Sequence, residues 1–333
     1  MTSPNAPLVV TMGDPAGCGP QITAQTWSAR EGLDLPPFFV IGDPRVYRDT
    51  VPVREIENAS QTADAFASAL PILPMDLAEA DSLVPGTASG KFANGIVDSI
   101  ERATALSLSG DAAGLVTNPI SKAVLYKEDF AFPGHTEFIA SLCEGPPKPI
   151  MMLVGGGLRV ALATIHVPLM KVLEHLSHAS LVETAHITHR AMMEDFGIEA
   201  PRLAFTGLNP HAGENGTIGT EERELINPAA AALRQMGVNI SDARPGDTVF
   251  HEALSGQFDA VIAMTHDQGL IPVKTLDMWG GVNTTLGLPI IRTSPDHGTA
   301  YEAAAAGTCR PDSLIAAIRL AAELATNRAR VNV

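Results

Sequence analysis

Three histidines lie in segments whose pattern favours chemistry over scaffold: His166 in ALATIHVPL, His211 in TGLNPHAGENG and His266 in AVIAMTHDQG. Each follows an apolar run typical of a strand, so all three are predicted at C-terminal strand ends, where open α/β sheets place their ligands. Three neutral imidazoles would suit a divalent cation with an open coordination position. Histidines also cap loops and donate to backbone carbonyls, so these residues alone leave a metal role and a structural role open.

The elements that would position these histidines alternate along the chain. Short apolar runs predicted as strands begin at Leu8, Phe38, Ala113, Ile150, Arg159, Arg202, Asp259 and Leu288. Helical patterns cover residues 91–109, 180–196, 220–236 and 312–326. This alternation is typical of a mostly parallel α/β sheet with helices on both faces. The stretch IMMLVGGGLRVAL instead predicts two adjacent strands joined by a glycine turn, hence one antiparallel pair. Residues 51–90 show no clear period.

Length and composition indicate a globular enzyme and exclude other classes. A chain of 333 residues with 45% hydrophobic and 18% charged residues is expected to form two domains. A net charge of −15, without any block of Lys and Arg, argues against nonspecific binding to nucleic acid or to an anionic membrane. An aromatic content of 5% leaves no stacking platform for single-stranded nucleic acid. No run approaches the ~20 apolar residues of a membrane-spanning helix.

The cysteines and the N-terminus indicate a compartment. Cys18, Cys143 and Cys309 are far apart and form no C-x-x-C pair, which favours a reducing environment and disfavours structural zinc. The segment MTSPNAPLVVTMGDP lacks the basic and apolar regions of a signal peptide. We therefore expect a cytoplasmic protein.

Two glycine-containing loops resemble cofactor-binding segments to different degrees. GDPAGCGP follows the first predicted strand, but it does not match G-x-G-x-x-G and no Walker lysine follows, so we interpret it as a structural strand-to-helix turn. DHGTA, which enters a helix, is similar to the cofactor loop of the decarboxylating isocitrate and isopropylmalate dehydrogenases. That similarity implies that His297, Gly298 and Thr299 lie against the adenosine half of NAD or NADP.

Several motifs taken together resemble one family over essentially the whole chain. GDPAGCGPQ, VTNPISK, FPGHTEFIA, LNPHAGENGTIGTEE, HDQGLIPVK and GVNTTLGLPIIRTSPDHGTA occur in the order and spacing of the 4-hydroxythreonine-4-phosphate dehydrogenase family. The resemblance implies an isocitrate/isopropylmalate dehydrogenase-like architecture of two α/β domains with mostly parallel sheets and an active-site cleft between them. A discontinuous first domain on the cofactor side is expected at 1–139 plus 289–333. The second, carrying the metal and the dimer interface, is expected at 140–288.

The same resemblance implies the site residues and partners. Its divalent metal, which could be zinc, magnesium or cobalt, is held by histidines that match His166, His211 and His266, with one ligand supplied across a homodimer interface. Its substrate contacts match His135, Thr136, Lys274, Asn283 and Arg292. Arg292 and Lys274 are cationic donors suited to phosphate or carboxylate. Lys274 is also a candidate for removing the substrate's hydroxyl proton, as is metal-bound water.

The activity implied is oxidation of the C3 hydroxyl of 4-phosphooxy-L-threonine with NAD or NADP, followed by decarboxylation to 3-amino-2-oxopropyl phosphate in pyridoxal phosphate biosynthesis. Cys18, Gln21 and Thr265 depart from the residue types usual in the family, and this leaves related substrates such as 4-phosphothreonate and 4-phosphoerythronate as alternatives. A metal-dependent phosphohydrolase is an alternative from another class, because three histidines and an arginine would also suit it.

Overall fold

The computed structural model describes residues 6–128, 130–145 and 147–331. The chain forms two compact units, the first comprising residues up to 149 and again 288–329, the second comprising residues 150–287. Among the helices of these described ranges, none combines the length and apolar character required to cross a membrane.

The first segment of unit 1 alternates strands with helices. The strands are β1 (Leu8–Thr11), β2 (Phe38–Gly42), β3 (Val53–Glu55), β4 (Leu70–Pro74) and β5 (Gly114–Val116). The helices are α1 (Gly19–Ser28), α2 (Arg30–Leu33), α3 (Thr62–Phe66), α4 (Ala93–Ser109), α5 (Lys122–Leu125) and α6 (His135–Ser141).

Unit 2 continues the alternation. Its strands are β6 (Ile150–Gly155), β7 (Leu158–Leu162), β8 (Leu203–Thr206), β9 (Ile240–Arg244), β10 (Ala260–Ala263) and β11 (Val282–Leu286). Its helices are α7 (Val172–His175), α8 (His178–Glu194), α9 (Asn227–Gln235), α10 (Val249–Leu254) and α11 (His266–Leu276), with a π-helical segment at Glu222–Ile226 before α9. The chain then returns to unit 1 with β12 (Arg292–Pro295), α12 (Tyr301–Ala306) and α13 (Asp312–Val331).

Each unit is built on a sheet that is wholly or mostly parallel. In unit 1 the strand order is β3-β4-β2-β1-β5-β12, and every neighbouring pair is parallel. In unit 2 the order is β11-β6-β7-β10-β8-β9, where β6 is antiparallel to both neighbours and the remaining pairs are parallel. The predicted mostly parallel α/β fold is therefore confirmed. So is the antiparallel pair, whose turn uses Gly156 and Gly157 at positive φ.

The differences between predicted and observed strands have physical reasons. Leu288, Ile290 and Ile291 of the apolar run are buried, but the strand begins only at Arg292, because Pro289 lacks the N–H needed for regular pairing. The sequence also failed to indicate β3, β4, β9 and β11. β4 contains Pro71 and Pro74, and β3 and β9 are short, largely polar strands at the sheet edges.

A buried serine ties the central helix of unit 1 to its sheet. Ser99 of α4 is fully buried, and its Oγ accepts a hydrogen bond of 3.0 Å from the Met12 N–H and donates one of 2.8 Å to the Ile41 carbonyl. Met12 follows β1, which leads into the GDPAGCGP turn. Ser99 thereby satisfies the buried N–H group of Met12 and links it to the carbonyl of Ile41 in β2.

We expect Ser99→Ala to lower the free energy of unfolding by about 1–3 kcal/mol, because the buried Met12 N–H would lose its partner. Urea denaturation at neutral pH measures this difference. Ser109→Ala, at the exposed C-terminal residue of the same helix, is the matched control and should change the free energy of unfolding by no more than about 0.5 kcal/mol. Equal midpoints for the two variants would contradict the structural role of Ser99.

Candidate active-site residues

The three predicted metal histidines follow three neighbouring strands of unit 2. His166 comes four residues after β7 ends, His211 five residues after β8, and His266 is the first residue of α11 directly after β10. Strands β7, β10 and β8 are adjacent and parallel, so their C-terminal ends lie at one edge of the sheet. This is the edge at which α/β sheets place ligands.

Two of these histidines lie side by side. The ring centroids of His166 and His266 are 5.5 Å apart, and the rings are tilted by 39°. Nδ1 of His266 is 2.8 Å from Oδ1 of Asp267, an arrangement that fixes the ring and directs Nε2 away from the carboxylate. His166 adopts φ +48°, an unusual backbone conformation for a residue other than glycine and one that commonly marks a functional loop.

His211 opens a left-handed turn. His211, Ala212, Gly213, Glu214 and Asn215 all have φ between +41° and +76°. Left-handed backbone costs roughly 1–2 kcal/mol for an ordinary L-residue, so a run of this kind needs support from its surroundings.

That support comes from the buried carboxylate of Glu222 in the π-helical segment. Its Oε1 accepts hydrogen bonds from the N–H groups of Leu208 and Asn209 at 2.8 and 2.7 Å, and its Oε2 accepts from Nδ2 of Asn209 at 2.9 Å. A Cβ added to Gly213 would lie 2.6 Å from Oε2 of Glu222, so glycine is required there for close approach as well as for its φ of +76°. Glu222 therefore fixes the path of the loop that presents His211.

His166 and His266 offer two neighbouring imidazoles to a possible ligand. The donor chemistry of His166 and His266 fits a divalent ion that accepts imidazole nitrogen. Within residues 6–128, 130–145 and 147–331, however, no group of three or more His, Cys, Asp or Glu side chains is arranged to hold a metal ion. The structure thus brings together two of the three predicted ligands, and His211 does not complete the set in this chain.

The other predicted residues of unit 2 are Lys274 and Asn283. Lys274 is half-buried on α11, two helical turns after His266. Asn283 lies in β11 opposite Leu153 of β6, and its Oδ1 is buried without a hydrogen-bond partner among the described residues. An unpaired buried carbonyl oxygen is costly, and a ligand donor would satisfy it.

In unit 1 the central feature is a buried arginine. Arg292 begins β12 and is 3% exposed, and its Nη2 donates a hydrogen bond of 2.7 Å to Oγ1 of Thr117. Burial lowers the pKa of this guanidinium to about 10, and the nearby carboxylate of Glu137 acts in the opposite direction. Arg292 therefore remains a cation at neutral pH although it is almost withdrawn from water.

His135 and Thr136, the first two residues of α6, are half-buried. Burial, followed by the positive charges of Arg292 and Lys122, holds the pKa of His135 well below its usual range. Its Nε2 is buried and has no hydrogen-bond partner in the described part of the chain. His135 is thus a neutral imidazole beside two cations, as suits a site that binds an anion.

The predicted cofactor loop rests on the turn that follows β1. The Cys18 N–H donates to the Thr299 carbonyl at 2.8 Å, and the Cys18 thiol donates to the Gly298 carbonyl at 3.5 Å. The hydroxyl of Tyr301, at the start of α12, donates to Oδ2 of the fully buried Asp14 at 2.5 Å. Burial raises the pKa of Asp14, against the hydrogen bonds it accepts. The turn thus positions the backbone of the loop 297–299.

Sequence reasoning missed four side chains that these contacts make relevant. Lys122 was part of the motif VTNPISK, but nothing near it in sequence pointed to His135 or Arg292. Glu222 lies in the motif LNPHAGENGTIGTEE, but no residue pattern there indicates that its carboxylate supports the loop of His211. Asp14 and Tyr301 are 287 residues apart, and no local pattern connects them.

Comparisons with known proteins assign the chain to a family. The family model described as pyridoxal phosphate biosynthetic protein PdxA matches residues 34–321. The 4-hydroxythreonine-4-phosphate dehydrogenase of Methylorubrum populi is 49% identical, covering 98% of this chain and 96% of the relative. The enzyme of the same name from Caulobacter vibrioides is 48% identical, covering 97% of this chain and 98% of the relative.

A solved structure gives the same result. The 4-hydroxythreonine-4-phosphate dehydrogenase of Klebsiella pneumoniae superimposes with a TM-score of 0.88 at 36% identity, covering 97% of this chain and 98% of that structure. Because both the sequence match and the structural match extend over nearly the whole chain, the protein belongs to the PdxA family of pyridoxal phosphate biosynthetic proteins.

Proposed function

We propose that the protein is a 4-hydroxythreonine-4-phosphate dehydrogenase that depends on NAD or NADP and on a divalent metal ion. It oxidises the C3 hydroxyl of 4-phosphooxy-L-threonine and releases the product as 3-amino-2-oxopropyl phosphate after decarboxylation. Its near full-length membership of the PdxA family carries this proposal. The buried cation Arg292 beside the neutral His135 gives the proposal a physical basis, because a phosphorylated substrate needs such donors.

We assign separate roles in binding and catalysis to the residues of this chain. Arg292 and His135 are assigned to the substrate's phosphoryl group, where guanidinium and imidazole N–H groups donate. Thr136 and Asn283 are assigned to orientation, since both offer neutral polar groups. Lys274 is the protein group assigned to moving the hydroxyl proton, because its amine lies on the helix that begins with His266.

The metal would be held by His166, His266 and His211, and the cofactor by His297, Gly298 and Thr299. When bound, a divalent ion would supply Lewis acidity at the C3 hydroxyl, and NAD or NADP would supply the acceptor for the hydride released from C3. NAD and NADP are the two candidates for the cofactor, and zinc, magnesium and cobalt are the candidates for the metal.

We also propose that the active enzyme is a homodimer in which His211 of one subunit completes the histidine pair of the other. Among the residues that the structure describes, one chain brings together only the pair His166 and His266, and this supports the arrangement. Exposed apolar side chains support it too, because they cluster in the segments that follow His166 and His266. They are Leu169, Met170, Ile271, Met278 and Trp279, each exposed by more than half. Such a concentration is typical of a surface that is covered by a partner.

The activity is tested by incubating metal-supplemented protein with 4-phosphooxy-L-threonine and either NAD or NADP. We expect reduced cofactor, measured by its absorbance, and CO2 to appear in equal amounts. Parallel incubations with 4-phosphothreonate and 4-phosphoerythronate should give lower kcat/KM. Release of inorganic phosphate without cofactor reduction would instead identify a phosphohydrolase and refute the proposal.

Arg292→Lys should reduce kcat/KM by roughly 10- to 100-fold, because a buried fork of donors is exchanged for a point charge. Steady-state kinetics with 4-phosphooxy-L-threonine measure the loss, and a thermal melt checks that the fold persists. Arg319→Lys, at an exposed arginine of the same unit, is the matched control and should leave kcat/KM unchanged. If the two variants behaved alike, Arg292 would not contact the substrate.

The shared metal site predicts a specific pattern of complementation. The variants His166→Asn, His211→Asn and His266→Asn should each be inactive, and asparagine is chosen because it tolerates the left-handed backbone at positions 166 and 211. A heterodimer of His166→Asn and His211→Asn subunits should regain one intact site, since the intact His166–His266 pair and the intact His211 then come from different chains. We expect up to about half of the wild-type activity per heterodimer, with one bound metal ion.

The control is a heterodimer of His166→Asn and His266→Asn subunits. Because these two residues are neighbours in one chain, each site then lacks one ligand and activity should stay absent. Recovery in this control but not in the first mixture would show that His266, rather than His211, crosses the interface. Full activity in a monomer, established by sedimentation equilibrium, would refute the shared site.

A further inference from the structure

We propose that Lys122 is a further phosphoryl-binding residue, which acts with Arg292 and His135 on the substrate's phosphate group. The inference rests on the proposed function for the identity of the substrate, and it adds a residue that the sequence motifs did not single out. It is carried by the position of Lys122 in unit 1, by the charge balance of the cluster and by an unsatisfied imidazole nitrogen.

The position of Lys122 is set by a glycine. Lys122 begins α5, and its side chain extends across the backbone of Gly134, the residue that precedes His135 and Thr136. A Cβ built on Gly134 would lie 3.0 Å from Cε and 3.3 Å from Nζ of Lys122. Since Gly134 has extended backbone at φ 175°, its role here is close approach and not a special conformation. The absence of a side chain at 134 lets the ammonium group lie next to the start of α6.

The net charge of the cluster indicates that Arg292 needs a second cation beside it to bind a phosphate dianion. Among the described residues, the charged groups around this point include Arg292, Lys122 and the exposed carboxylate of Glu137, whose Oε2 would lie 3.6 Å from the same Cβ position. Glu137 interacts electrostatically with Arg292, and its negative charge opposes the positive charge that Arg292 presents to a ligand. His135 adds none, because its imidazole is neutral. Lys122 therefore supplies the net positive charge that an incoming dianion requires.

The Nε2 atom of His135 is a second sign that a ligand binds here. Its Nε2 is buried and without a partner among the residues that the structure describes, and the positive charge of Lys122 is one of the causes that keep the ring neutral. A buried imidazole nitrogen without a partner is costly unless a ligand meets it. A phosphoryl oxygen placed between Lys122 and Arg292 would satisfy this nitrogen and both cations together.

The test uses inorganic phosphate as the probe, titrated into the metal-free protein by calorimetry at low ionic strength. We expect Lys122→Gln to raise the Kd for phosphate about tenfold, and Lys122→Arg to restore most of the affinity. Lys127→Gln, which removes a charge at an exposed lysine five residues away, is the matched control and should change the Kd less than twofold. A Kd for Lys122→Gln within twofold of wild type, or no phosphate binding by the wild-type protein, would overturn the proposal.

Gly134→Ala provides a second variant that keeps the charge. The added methyl group displaces the flexible end of Lys122, so phosphate affinity should fall while the thermal midpoint changes little. L-Threonine, which carries the substrate's carboxylate but no phosphate, distinguishes the two anionic groups. Its binding should not respond to Lys122→Gln, and an equal loss for both ligands would show that Lys122 serves the carboxylate.

These measurements are independent of the dehydrogenase assay. If the wild-type protein failed to reduce NAD with 4-phosphooxy-L-threonine but bound phosphate in a Lys122-dependent manner, the proposed function would fall and the phosphate site would stand. If turnover were present and its KM for the phosphorylated substrate were the same in Lys122→Gln, the function would stand and this inference would fall.

Discussion

The parallel pairing of β7, β10 and β8 is the constraint on which the histidine site depends. Val261 of β10 lies opposite Val160 of β7 and Ala204 of β8, so the three strands run in register and end at the same edge of the sheet. The loops that leave this edge carry His166, His266 and His211. A register shift of one residue in any of these strands would turn its buried apolar side chains to the other face of the sheet and displace the loop that follows it. The burial of those side chains therefore also fixes the positions of the imidazoles.

Unit 1 concentrates positive charge at one point of a chain whose net charge is −15. The global charge repels a phosphorylated metabolite, and only local positive potential can overcome that repulsion. Arg292 supplies it from a buried position, where a charge interacts more strongly than in water. The neutral state of His135 follows from the same environment, because burial and neighbouring cations both oppose its protonation. The same buried environment therefore strengthens the interactions of the Arg292 charge and keeps His135 neutral.

Sequence reasoning succeeded where local pattern determines structure. The buried strands and amphipathic helices follow from apolar periodicity, and the strand-end positions of the three histidines follow from those elements. The strand prediction failed at β4, whose prolines are atypical of a strand, and at the polar edge strands β3 and β9. Sequence reasoning also missed Lys122 and Glu222, because their roles depend on contacts across turns whose backbone path no residue pattern specifies. The assignment of the site residues came from family resemblance, and spacing alone could not have provided it.

The left-handed turn that presents His211 has a consequence for the dynamics of unit 2. Three of its residues, His211, Ala212 and Glu214, are neither glycine nor asparagine, so the turn stores roughly 3–6 kcal/mol of backbone strain. That amount approaches the entire free energy of folding of many domains. The segment is consequently strained and is stabilised by the carboxylates of Glu222 and Glu221, which accept hydrogen bonds from the residues that precede it. We expect its amides to be among the less protected ones in hydrogen exchange. A ligand that engages His211 would be expected to slow that exchange, so that metal uptake and the ordering of this loop become a single coupled equilibrium.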